Sequence, residues 1–261
     1  MRPIDAGALK RLTRSRCHGV LQILRFNWPF YAMASVGVAA AAEIARLPLS
    51  LSARLVLCGA LAPAAWWLLA SLLASWIVYD RSPLMDGDWI AGAVRTPPRR
   101  WIHVHAGFDE MTAVLRAQFD GARGRTFDIF DPTEMTEPSI ARARRSARPD
   151  GACEHVDTRS LPVATASVDA AFLLMSAHEL RTTRARDAFF AEIRRALGPT
   201  GCAIVAEHLR DAANFLAFGP GFLHFHSRRT WRRTFARTGL AIRDEFAITP
   251  FVRIFVLERS Q

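Results

Sequence analysis

Leu55 to Tyr79, "LVLCGALAPAAWWLLASLLASWIVY", carries no charged side chain over roughly 25 residues. A helix needs about 20 apolar residues to cross the hydrocarbon core of a bilayer, so this stretch reads as a membrane span. Pro63 near its start is tolerable in such a helix, and Trp76 with Tyr79 resembles an interfacial aromatic anchor. An earlier stretch, "FNWPFYAMASVGVAAAAEIARLPL", is apolar from Trp28 to Ala42 before Glu43 and Arg46 intervene. Those two charges can snorkel to the far interface, which makes a short first span; a signal peptide is the competing reading. Either way the chain beyond Tyr79 stays on the side of the N-terminus. Arg2, Lys10, Arg11, Arg14, Arg16 and Arg25 would hold that side in the cytosol.

The expected organisation is a basic leader (1–25), two membrane helices within 26–80 (about 27–46 and 55–79), a linker (81–97) and a soluble domain (98–261) on the cytosolic face of the inner membrane. The formal net charge of +10 rests almost wholly on arginine, with Lys10 the only lysine. We read it as compositional bias plus a leader, not as a nucleic-acid surface. Arg142, Arg144, Arg145 and Arg148 either face anionic headgroups or form a solvated face. Cys17, Cys58, Cys153 and Cys202 are scattered, which gives no disulfide framework and no cysteine zinc motif.

From Trp101 onward, short apolar runs alternate with amphipathic stretches, the pattern of a parallel sheet with crossover helices. "WIHV", "RTFDIF", "ACEHV", "VDAAFLLM" and "CAIVAE" read as five strands, and "LAIRDEFAI" with "FVRIFVLE" as a terminal hairpin. Helices are expected in "DEMTAVLRAQF", "SIARARRSA", "ARDAFFAEIRRAL" and "RRTWRRTFARTG". The fold class is α/β: a doubly wound, mostly parallel seven-stranded sheet with an antiparallel hairpin at its C-terminal end, preceded by the membrane hairpin.

The stretch "HVDTRSLPVATASVDAAFLLMSAHEL...AFFAEIRRALGPTGCAIVAEH" has an Asp before Leu-Pro, a buried strand, a helix ending in R-x-L-x-P-x-G and a fifth strand. In that order and spacing, residues from about 98 to 260 resemble a class I S-adenosylmethionine-dependent methyltransferase. The resemblance implies S-adenosylmethionine as cofactor, bound at the carboxyl ends of the strands near the switch point. The glycine-rich turn of that family matches His105, Ala106, Gly107, Phe108 and Asp109, where only Gly107 keeps a glycine, and His103 replaces the acid that usually ends the first strand. The expected cofactor contacts are His105 beside the sulfonium, Gly107 and Phe108 at the turn, Asp131 on the ribose hydroxyls, and Asp157 with Thr158 beside adenine. Asp128 is the alternative to Asp131, and a helix cap is the alternative role for Asp131.

Methyl transfer is an in-line displacement whose main demand is alignment, with a base needed only for a protonated acceptor. His178 after the fourth strand and Glu207 after the fifth are the candidate catalytic residues. His103 with His105, and His224 with His226, form close pairs, but no carboxylate or cysteine has supporting spacing, so no metal site is expected. "FLAFGPGFLHFHSRRTW" lies where the family varies its acceptor-binding insert. Its phenylalanines beside an anchor suggest a hydrophobic or lipid-linked small-molecule acceptor reached from the bilayer; a lid packed on the core is the alternative. The opposing functional class is an inactive, membrane-tethered scaffold that has lost its cofactor loop.

Overall fold

The computed structural model describes residues 17–146 and 153–260. The leader residues 1–16 and Arg148 lie outside that range. Three helices come first: α1 (His18–Phe26), α2 (Trp28–Ile44) and α3 (Leu51–Trp76). Ser50 starts α3 by accepting a hydrogen bond from the Ala53 N–H at 3.3 Å, and Pro63 lies within it. The helix runs on through a π-helical turn (Ile77–Arg81).

Leu51–Arg81 is, among the described residues, the one helix long and apolar enough to cross a membrane. Only 6% of its most apolar window is buried, so it is not the core helix of the domain. The expected second span therefore starts one turn earlier than the charge-free stretch, because Arg54 is accommodated in its exposed first turn. The expected first span is shorter than anticipated. At about 1.5 Å per residue, the 17 residues of α2 fall short of a hydrocarbon core of about 30 Å. The two helices pack as a hairpin, with the Tyr31 and Ser71 hydroxyls 3.2 Å apart near its base and an exposed Glu43–Arg46 ion pair near its turn.

The remainder is α/β. After a 3-10 turn (Pro83–Met85) and α4 (Asp88–Ala93), the chain runs through β1 (Arg100–His105), α5 (Thr112–Gln118), β2 (Arg123–Asp128), α6 (Pro138–Ser146), β3 (Cys153–His155) and β4 (Val168–Leu174). It continues through a 3-10 turn (Ala177–Glu179), α7 (Thr183–Ala196), β5 (Leu197–His208), α8 (Ala212–Phe218) and a second 3-10 turn (Gly219–His224). It closes with α9 (Arg228–Arg237), β6 (Leu240–Thr249) and β7 (Val252–Arg259).

The seven strands order as β3-β2-β1-β4-β5-β7-β6, parallel except where β7 enters antiparallel to β5 and β6. The expected fold class of the soluble domain is the observed one. The order reverses between β1 and β4, which opens a crevice at their carboxyl ends.

Alternation along the strands divides the interior into two layers. Ala171 and Leu173 of β4 face Phe189, Phe190 and Trp231, whereas Ala170, Phe172 and Leu174 face Trp101, Met111 and Leu115. α5 is shorter than "DEMTAVLRAQF" suggests because Asp109 stays outside it and accepts hydrogen bonds from the N–H groups of Met111 and Thr112 at 3.0 and 2.9 Å. "LHFHS" is not extended. His224 ends a 3-10 turn, and the expected pairing of His224 with His226 is absent: His226 instead lies 3.0 Å from an Arg186 guanidinium nitrogen.

Gly124 on β2 lets the Trp101 ring lie flat across the neighbouring strand. A Cβ there would come within 2.0 Å of that ring. Gly124→Val should lower the thermal midpoint of the detergent-solubilised protein, corresponding to an overpacking cost of about 1–3 kcal/mol. An unchanged midpoint would show that Trp101 is free to move.

Candidate functional site

A cavity of about 240 Å³ opens at the carboxyl ends of β1, β4 and β5. Its floor comes from strand ends and the residues just beyond them: His103 of β1 and Ala106 after it, Leu174 of β4 and Met175 after it, and His208 closing β5. Its roof is α1, with Ile23 and Phe26 facing inward, and Leu84, Met85 and Trp89 close one side.

Two polar contacts hold the roof down. Asp80, at the foot of the long helix, accepts hydrogen bonds from the Gly19 and Val20 N–H groups at 2.7 and 2.9 Å. Arg142 of α6 donates to the Phe26 carbonyl at its other end. Gly19 is required at that junction, because a Cβ would approach Tyr79 Cβ to 2.4 Å.

Glu207 ends β5 with no exposed surface. Its two oxygens accept from the His178 N–H at 3.1 Å and from His178 Nδ1 at 2.6 Å. The other face of that imidazole turns toward Glu179, with Nε2 3.3 Å from Oε1. Burial disfavours a charged His178, but Glu207 and Glu179 outweigh it and hold its pKa up at about 10. Burial would raise the Glu179 pKa, yet His178 and His224 keep it far below the carboxylate range. At neutral pH this is an imidazolium between two carboxylates, which is not a proton acceptor.

His178 and Glu179 line the cavity, whereas Glu207 does not. Glu207, the second expected catalytic residue, has no surface of its own and meets the cavity only through its hydrogen bonds to His178. Glu110 also lines the cavity; Glu179, which sequence reasoning passed over, is the carboxylate that reaches it beside His178. Its position beside His178 in "SAHEL" is visible in the sequence, but the 3-10 turn that aims both side chains inward is not.

The turn after β1 is built around Gly107. Its φ of +83° is left-handed, a conformation that favours glycine, and a Cβ would meet the Arg144 side chain at 2.8 Å. Its N–H donates to Asp128 Oδ1 at 2.8 Å. Asp128 also takes the Phe130 N–H at 2.9 Å and pairs with Arg144, whose guanidinium sits 4.3 Å from the centre of the Phe130 ring. Phe108 lines the cavity and meets Phe26 edge-on at 5.2 Å.

The remaining expected contacts are placed differently. His105 turns away from the cavity, its Nε2 3.2 Å from Cys153 Sγ, and burial depresses its pKa. His103 lines the cavity in its stead, with Nδ1 2.8 Å from Thr112 Oγ1. Its Nε2 is buried and has no partner among the described residues, and burial, partly offset by Asp109, lowers its pKa to about 4. Asp131 is exposed and caps a turn, accepting from the Thr133 N–H at 2.8 Å. Asp157 is exposed and accepts from the Arg159 N–H at 2.9 Å. Neither Asp131, Asp157 nor Thr158 lines the cavity; Asp128 is the acid joined to the Gly107 turn.

Residues 107–205 match the family model described as a methyltransferase domain. The match runs from the Gly107 turn into β5 and includes His178 and Glu179. Among solved structures, the chain resembles the mitomycin 7-O-methyltransferase MmcR at 16% identity and a TM-score of 0.55, over 97% of this chain and 75% of that one. It resembles the pyocyanin biosynthetic protein PhzM at 16% identity and a TM-score of 0.50, over 72% of this chain and 58% of that one. An S-adenosylmethionine-dependent methyltransferase from Aquifex aeolicus aligns at 14% identity and a TM-score of 0.49, over 65% and 86%. At such identities the first two likenesses show the fold alone. No curated protein matches the sequence. The family match and the fold together support a class I methyltransferase domain with S-adenosylmethionine as its cofactor.

Several features of the site fit that cofactor. Gly107 permits close backbone approach between Ala106 and Phe108, both on the cavity wall. His103 Nε2 offers an unfilled hydrogen-bonding position there. Met175, also on the wall, is held at a φ of +59°, strain of a kind that collects at ligand sites.

Glu207→Gln should destabilise the fold through loss of the buried charge facing His178. Removing one partner of a buried pair costs about 3–5 kcal/mol, readable as a lower denaturant midpoint. An unaltered midpoint would mean that His178 is not held as a cation.

Proposed function

We propose that this protein is a membrane-anchored, S-adenosylmethionine-dependent methyltransferase acting on a hydrophobic or lipid-linked small molecule. The observation that carries the proposal is the cavity's position. It lies between the strand ends that hold the Gly107 turn and the helices joined to the long apolar helix. α8 extends the same apolar surface: Trp66 Nε1 donates to the Leu216 carbonyl at 2.9 Å, and Trp67 meets Phe215 at 5.5 Å. Leu216 and Leu223 remain more than half exposed beside that helix. An acceptor dissolved in a bilayer would thus meet apolar side chains from the membrane surface to the cavity.

S-adenosylmethionine, when bound, supplies the electrophilic methyl group. The residues of this chain align and desolvate. Gly107 and Phe108 shape the cofactor side, His103 offers Nε2 to a polar group, and Ile23, Phe26, Leu84 and Met85 exclude water from an apolar acceptor. Glu179 accepts a hydrogen bond from the acceptor's polar end, and His178 holds Glu179 in place. Asp128, rather than Asp131, is the carboxylate assigned to the cofactor. The domain faces the cytosol, on the side of the basic leader.

One observation favours the scaffold reading. The Arg144 side chain covers Gly107 and neutralises Asp128. Cofactor binding at this turn therefore displaces Arg144. In calorimetry on the detergent-solubilised chain, wild type should bind S-adenosylmethionine, and Arg144→Ala should bind about tenfold more tightly, the equivalent of one charged hydrogen bond no longer broken. Gly107→Val should abolish binding. No binding by either wild type or Arg144→Ala would establish the scaffold.

The membrane assignment has its own test. Alkaline carbonate should leave the full chain in the membrane fraction, and reporters fused to either terminus should locate both in the cytosol. Quantitative release of the chain by carbonate would end the anchor reading.

A further inference from the structure

Two histidines and a glutamate from distant parts of the chain converge at one edge of the cavity. His178 and Glu179 lie on the turn after β4, and His224 ends the turn after α8. One oxygen, Glu179 Oε1, lies 3.3 Å from His178 Nε2 and 3.5 Å from His224 Nε2. The ligand atoms of the three residues fall within 4.8 Å of one another, and the imidazole rings stand nearly perpendicular, 5.2 Å apart.

The outward nitrogen of each ring is also committed. His178 Nδ1 meets Glu207 at 2.6 Å, and His224 Nδ1 lies 3.3 Å from Glu137 Oε1. Two imidazoles therefore turn Nε2 inward to the same oxygen, each with a carboxylate behind Nδ1. That is the arrangement of metal-binding histidines, in which a carboxylate behind the ring fixes the tautomer and raises the basicity of the ligating nitrogen.

The distances point the same way. A charge-assisted hydrogen bond between imidazolium and carboxylate has a length of about 2.7–2.9 Å, and His178 makes a contact at least that short with Glu207, at 2.6 Å. Its separation from Glu179, and that of His224, is longer. Two ligands each about 2.0–2.1 Å from a tetrahedral ion are separated by about 3.3–3.4 Å, close to both observed values. Two imidazole nitrogens and one carboxylate oxygen also form a donor set that suits zinc and other first-row divalent ions.

We propose that His178, Glu179 and His224 form a binding site for a divalent transition-metal ion of the zinc class, with Glu207 and Glu137 orienting the two histidines. Binding places the ion between the two Nε2 atoms and Glu179, and releases any proton from those nitrogens. Three protein ligands leave a fourth position open, and His178 and Glu179 direct it toward the cavity they line. The site does not depend on methyl transfer: a chain that bound no S-adenosylmethionine would still take the ion.

The test uses the full, untagged chain in detergent, stripped with a chelator and titrated with zinc chloride. Calorimetry and metal analysis after desalting should give one zinc per chain. Glu179→Gln and His224→Gln should each weaken binding by more than about 100-fold. Glu137→Gln, which alters an exposed residue and removes only the support behind His224, should weaken it by about 10-fold. Melting of the stripped variants checks that each is folded, and Glu137→Gln keeps the test decisive should the other two unfold. Cobalt chloride added to the stripped wild type should produce visible ligand-field absorption that His224→Gln lacks.

Failure of the stripped wild type to retain zinc would overturn the proposal. So would equal binding by wild type and Glu137→Gln together with either folded ligand variant, which would place the ion elsewhere. Loss of affinity in Glu179→Gln but not in His224→Gln would also overturn it, because His224 would then be no ligand.

Discussion

Glu207 is a carboxylate at the end of a central strand with no exposed surface, and such a group is tolerated only if it is paired and hydrogen-bonded. His178 meets that demand with both its backbone N–H and its ring nitrogen. The pairing fixes the turn after β4 against the end of β5 and leaves a single direction for the far side of the imidazole. That direction is toward Glu179, and through Glu179 toward His224. The polar edge of the cavity is thus a consequence of one buried charge. Its other walls are mostly apolar, with His103 and His208 adding polar atoms at the ends of β1 and β5.

The N-terminal helices and the α/β domain share this cavity. α1 lies across the strand ends because Asp80, in the turn that finishes the long helix, accepts from its first N–H groups. Arg142 secures the other end of the helix on α6. A helix that looks like a connection to the membrane is therefore the roof of the site. Tyr79 continues the coupling, with its hydroxyl 3.4 Å from His208 Nε2 and His208 Nδ1 2.8 Å from the Phe251 carbonyl. Burial keeps His208 neutral, its pKa lowered to about 4, so it serves this chain of contacts as a dipole.

The turn after β1 illustrates how a familiar loop survives altered chemistry. With a single glycine in the turn, Gly107 is the only residue there with a left-handed φ. Asp128 stabilises the turn by accepting the Gly107 N–H. Arg144 then neutralises Asp128, so the turn is closed by an internal ion pair.

The sequence by itself determined what depends on neighbours along the chain. The long apolar helix, the strand succession, the closing hairpin and the glycine turn follow from charge-free length, alternation and local backbone preference, all properties of contiguous residues. The placement of His178 was also legible, because it lies in the turn after a buried strand. Only the tertiary structure decided which polar residues meet. Glu137, Glu179 and His224 are brought together by crossovers between distant elements, and no spacing encodes that encounter. Asp131 and Asp157 occupied the expected places in sequence, yet both lie exposed, two or three residues past the ends of β2 and β3. The local pattern sets where a strand ends to within a residue or two, whereas the direction of a side chain changes with every residue.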